Sequence, residues 1–153
     1  MSLLTGLFGL LVVVILVVSI PVFFGGFGRK DKNKTSKNGD GHGIDKQFVR
    51  NKWLEINKIF RLGGGSNLKS SVMEADKLVD YVLVGKKISG NTMGERLKSA
   101  KKYFPNQADY NDLWFAHKVR NNIAHEATHQ LGVGEAKRAM EYFEKSLKKL
   151  GAL

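Results

Sequence analysis

The chain has 153 residues, enough for one modest domain, and it contains no cysteine, which excludes disulfides and thiolate metal centres. Its net charge is +11, and no charged side chain precedes Arg29, so the whole excess falls on the later part of the chain. Such an excess suits anionic partners, either lipid headgroups or nucleic acid.

Leu3 to Phe24 reads LLTGLFGLLVVVILVVSIPVFF. That is about 22 uncharged residues, enough to cross the ~30 Å hydrocarbon core of a bilayer. A secretory signal would carry a positive leader and a shorter apolar run, so residues 1–27 are expected to form a transmembrane anchor in the lipid bilayer. Arg29, Lys30, Lys32, Lys34 and Lys37 follow the span, opposed by Asp31 and Asp40. Positive flanks stay inside, which predicts a single-pass protein with its amino terminus outside and its C-terminal domain in the cytoplasm. Pro21, Gly25, Gly26 and Gly28 mark the exit of the span. Residues 28–43, GRKDKNKTSKNGDGHG, have no apolar periodicity and read as a flexible basic tether. Its lysines fix topology and lie within reach of anionic lipid.

Residues 44–153 read as helices, and no segment alternates like a strand. Val49, Trp53, Ile56 and Phe60 fall at helical spacing, and Gly63-Gly64-Gly65 ends that helix. Leu68, Val72, Ala75, Val79 and Val82 form a second stripe that stops near Gly85. Thr92 and Glu95 form a Thr-x-x-Glu capping box. The short helix it opens carries Leu97, Ala100 and Phe104 and ends at Pro105. A longer helix is expected from about Gln107 to Ala127, with Leu113, Ala116, Val119 and Ile123 inward. Gly132 and Gly134 break the chain before a last amphipathic helix bearing Val133, Ala136, Met140, Phe143, Leu147 and Leu150. The expected fold is all-α: one N-terminal transmembrane helix followed by a four-to-five-helix bundle.

The run DLWFAHKVRNNIAHEATHQ, Asp112 to Gln130, concentrates the chemistry. His117, Asn121, His125 and His129 are spaced four apart and share one stripe of an unbroken helix, with Arg120 on its border. Arg offers a planar fork to phosphate oxygens, and His moves protons near neutral pH. Asn orients a ribose or phosphate through hydrogen bonds. Arg120-Asn121-Asn122-Ile123-Ala124-His125 resembles the signature of the HEPN domains (higher eukaryotes and prokaryotes nucleotide-binding), over roughly residues 45 to 150. The resemblance implies a helical bundle that pairs as a twofold homodimer and binds RNA. In many members the two facing motifs cleave RNA without metal or cofactor. Carried over by position, Arg120 would stabilise the phosphate, His125 would transfer the proton and Asn121 would orient the substrate or the Arg. His117 and Glu126 receive no role from the resemblance.

Two other readings stand beside it. An Arg and a His near a helix end often only cap carbonyls and pair with acids, which leaves a non-catalytic interaction module tethered to the membrane. Alternatively, His125-Glu126-Ala127-Thr128-His129 spells His-Glu-x-x-His, a zinc peptidase pattern that Glu135 could complete as third ligand. No upstream strand offers the substrate-binding edge of such a peptidase, and Glu135 in a first helical turn already suits the helix dipole. Trp53 and Trp114 read as core or dimer contacts. Gly63-Gly64-Gly65-Ser66 lacks the lysine and strand of a phosphate loop. The Lys-rich faces at Lys86-Lys87, Lys98-Lys101-Lys102 and Lys145-Lys148-Lys149 are solvated surface able to attract RNA nonspecifically.

Overall fold

The computed structural model describes residues 43–125 and 130–153. The anchor, nearly all of the tether, and Glu126 to His129 lie outside the described residues. Five α-helices and one 3₁₀ turn occur among the described residues, and no strand. None of these helices is long and apolar enough to cross a membrane.

α1 (Lys46–Arg61) begins at Asp45, whose side chain accepts from Phe48 N–H at 2.9 Å, satisfying one of the first-turn donors. It buries Val49, Trp53 and Ile56. Gly63 and Gly64 then take φ of 67° and 78°, left-handed values that suit glycine, and Gly65 opens the next helix. α2 (Gly65–Gly85) buries a broad arc, from Leu68 through Leu83, because it packs against α1, α4 and α5. It closes on a non-glycine left-handed residue, Lys87 at φ 56°, with Ile88 N–H bonded to Leu83 O.

α3 (Met93–Ser99) starts at Thr92, whose hydroxyl accepts from Glu95 N–H at 3.2 Å. Glu95 reaches back to Asn91 N–H at 2.6 Å, one residue before the cap. The 3₁₀ turn Ala100–Tyr103 tightens the chain ahead of Pro105. α4 (Gln107–His125) and α5 (Val133–Lys149) run antiparallel, since Lys145 and Lys149 near the end of α5 pair with Asp109 near the start of α4. The core joins the predicted stripes of all five helices, with Phe143, Ile56, Leu83, Leu97, Leu113 and Leu147 the largest wholly covered apolar side chains. Three expected core positions differ: Phe60, near the end of α1, is only part-buried. Val133, in the first turn of α5, is 70% exposed, and Ile123 is only half-buried near the end of α4.

Candidate functional site: a buried polar ring between α2 and α4

α2 places a carboxylate where its apolar arc would otherwise place a methyl group. Asp76 lies between the buried Val72 and Val79 and is itself buried. An uncompensated buried carboxylate costs several kcal/mol, so its partners decide whether the helix can pack. α4 supplies them. His117 Nδ1 lies 2.8 Å from Asp76 Oδ1, and Arg120 Nε lies 3.4 Å from Asp76 Oδ2. The Arg120 Nε–H is buried and not aligned for a hydrogen bond, so this second contact is an ion pair only. Arg120 Nη1 donates to Asn121 Oδ1 at 3.1 Å, and Asn121 Nδ2 lies 3.2 Å from His117 Nε2.

These contacts close a ring, and elementary donor arithmetic fixes its polarity. A guanidinium has donors only, so the Asn121 oxygen faces Arg120 and its amide NH₂ faces His117. Nε2 of His117 therefore accepts, which leaves the imidazole proton on Nδ1, donated to Asp76. Asp76 thus faces an imidazole nitrogen of His117 on one side and the guanidinium of Arg120 on the other. Trp114 meets the His117 ring edge-on at a centroid distance of 6.0 Å. The backbone at Gly94 closes the same side, where a Cβ would lie 3.9 Å from His117 Nε2. Arg120 keeps 26% of its side chain open to solvent.

Of the residues predicted from sequence, Arg120 and Asn121 come together in this ring. His125 is exposed at the end of α4 and is not a member of it. His117, one of the four residues of the expected polar stripe and without an assigned role, is the buried centre. Glu135 stands in the first turn of α5. Among the described residues no three His, Asp or Glu side chains gather as a metal site. His129 lies outside the described residues, so the set His125, His129 and Glu135 is not placed as a whole.

Asp76 is the residue that sequence reasoning missed. Its signal is an acid on the apolar arc of a helix, four after Val72 and three before Val79. Asp80, one turn further, is clamped by Arg96 through Nε at 2.6 Å and Nη2 at 2.8 Å. These bonds hold the guanidinium above its already high range. A third cluster joins α4 to α5. Lys145 Nζ sits 2.6 Å from Asp109 and 2.9 Å from Asp112, and Lys149 Nζ sits 3.0 Å from Asp109. Hydrogen bonds from Lys145 and then Lys149 hold the Asp109 carboxyl below its ordinary range, and those to Asp109 and Asp112 push Lys145 up.

In comparisons with known proteins, no family model matches the chain, and neither does any curated protein or solved structure.

Proposed function

We propose that the chain is a membrane-anchored, HEPN-like module that faces the cytoplasm and binds RNA. In this reading Arg120 receives the phosphate, Asn121 orients it, and His125 moves the proton of a metal-independent cleavage. The observation that supports it most is the anchoring of Arg120. Asp76 and Asn121 hold the guanidinium in one place while a quarter of its side chain meets solvent. A fixed fork at a surface is what phosphate recognition asks of an arginine. Arg120 and His125 are five residues apart, about 140° around a helix of 3.6 residues per turn. One chain therefore aims them in different directions. Two chains about a twofold axis bring the Arg of one and the His of the other to a shared phosphate, which favours the homodimer.

One observation favours the second reading, a non-catalytic interaction module. The polar contacts of the ring run among its own members: Arg120 pairs with Asp76 and donates to Asn121, and Asn121 meets His117.

The two readings part in one experiment. The full chain, reconstituted in lipid discs, is incubated with labelled RNA in EDTA beside His125→Ala and Arg120→Ala. Cleavage that survives EDTA and is lost in His125→Ala, with unfolding midpoint unchanged, supports the nuclease. No cleavage by the wild-type chain, together with a fall in stability in Arg120→Ala, supports the interaction module. Cleavage that EDTA abolishes would return His125, His129 and Glu135 to consideration as a metal set. Orientation is read separately, by a reporter fused after Leu153 that is expected to be active only in the cytoplasm.

A further inference from the structure

The end of the α1–α2 hairpin where α1 begins and α2 ends has an amphipathic surface that the RNA reading does not use. Phe48, Tyr81 and Val84 are 46%, 39% and 53% exposed. Tyr81 and Val84 are three apart on α2 and share a face. The ring of Phe48, from α1, tilts onto Tyr81 at 5.1 Å. Gly43 and Ile44 pass against Gly85 at this same end, where an added Cβ would come within 2.7 Å of Ile44 Cγ1. Basic residues follow directly in the chain. Lys86 and Lys102 stand over the Tyr103 ring at 5.3 Å and 5.4 Å, and Lys87 and Lys102 line a shallow pocket with Ser89 and Ser99.

We propose that this end of the bundle docks on an anionic lipid surface. Phe48, Tyr81 and Val84 sit at headgroup level, and Lys86, Lys87 and Lys102 meet lipid phosphates. The proposal rests on reading Leu3–Phe24 as a membrane span. Three features of the chain select this occupant. Phe24 and Gly43 are nineteen residues apart, a distance of at most about 65 Å even for a fully extended chain. A span ending at Phe24 would therefore keep the bundle within reach of the bilayer. The apolar part is small: three part-exposed side chains offer a few hundred Å² at most, against the ~800 Å² per partner of a stable protein pair. A bilayer interface accepts so small a patch, because aromatic side chains settle there and the span supplies the attachment. The flanking lysines match the negative potential of the cytoplasmic leaflet.

The chain has no cysteine, so Val84→Cys and Ser66→Cys each create a unique labelling site, Ser66 being exposed at the opposite end of the hairpin. Full-length chains carrying a polarity-sensitive fluorophore are reconstituted into vesicles of phosphatidylcholine, with or without phosphatidylglycerol. At position 84 the emission is expected to shift to the blue and to be quenched by brominated lipid, in the anionic vesicles and not in the neutral ones. The label at position 66 is expected to report water in both. Lys86→Gln and Lys87→Gln should each lower the ratio of docked to undocked protein about fivefold. Flotation after alkaline extraction reads the span independently. A chain that floats while its label at 84 stays in water overturns the docking alone, and a chain that does not float overturns the span and the docking together. Equal shifts at 66 and 84, or in neutral and anionic vesicles, also overturn it. So does a shift without vesicles, which would assign the surface to RNA if RNA induces it, or to a second copy if protein concentration does.

Discussion

Asp76 carries more consequence than its single charge suggests, because three side chains of α4 are arranged around it. Asp76→Asn keeps the shape but turns an amide toward Arg120, whose charge then lacks its counter-ion in a half-buried place. Breaking a wholly buried pair in this way costs about 3–5 kcal/mol; with Arg120 partly solvated, the loss expected here is about 2–3 kcal/mol, read as a lower urea midpoint. Asp76→Leu combined with Arg120→Met removes both charges and should recover part of that loss. A double variant as unstable as Asp76→Asn would show that packing, not charge, holds the site. Arg120, Asn121 and His125 were legible as a motif because they lie within six residues of one another. Asp76 was not, because its partner His117 is 41 residues away, and periodicity alone does not say which helices cross there.

At the scale of the element, the helices were legible wherever apolar residues repeat and caps punctuate. α3 has too few turns for periodicity to place alone, and its capping box marks it instead. Thr92→Ala removes the hydroxyl that accepts from Glu95 N–H and should cost about 1 kcal/mol. Two glycines separate backbone need from accident. Gly90 has φ 146° and an added Cβ would fall 2.5 Å from Arg96 N, whereas Gly134 in the first turn of α5 has open space around it. Gly134→Ala is therefore expected to stabilise by about 0.5–1 kcal/mol, and Gly90→Ala to destabilise by more than that. Thermal unfolding of both variants checks the sign, and a loss in Gly134→Ala would count against the open first turn. Val133 shows the limit of the stripe. Periodicity gives the angle of a residue around its helix, not the height at which neighbouring helices cease to cover it.

For the whole molecule, charge works through particular pairs rather than through the net value of +11. The tie between the start of α4 and the end of α5 runs through Asp109, with Lys145 and Lys149 as its partners. Hydrogen bonds from Lys145, then Lys149, depress the folded-state pKa of Asp109. The unfolded chain therefore binds the Asp109 proton more readily. Its contribution is complete above the ordinary carboxylate value near ~3.9 and fades as pH falls through the depressed one. Lys145 works in the opposite direction. Its pKa is raised by hydrogen bonds to Asp109, then Asp112, so its contribution is complete below the ordinary lysine value near ~10.4 and is lost only as pH rises past the elevated one. Together the two shifts predict a plateau of stability from about pH 5 to about pH 10, with a fall on the acid side as Asp109 protonates. Urea unfolding across that range tests it. In Asp109→Asn the plateau should be lower and the acid fall shallower, because the mutant has no carboxyl there to titrate. An acid limb of undiminished steepness in Asp109→Asn would move the acid sensitivity of the fold to other carboxylates. It would leave the α4–α5 tie a surface contact without weight in folding.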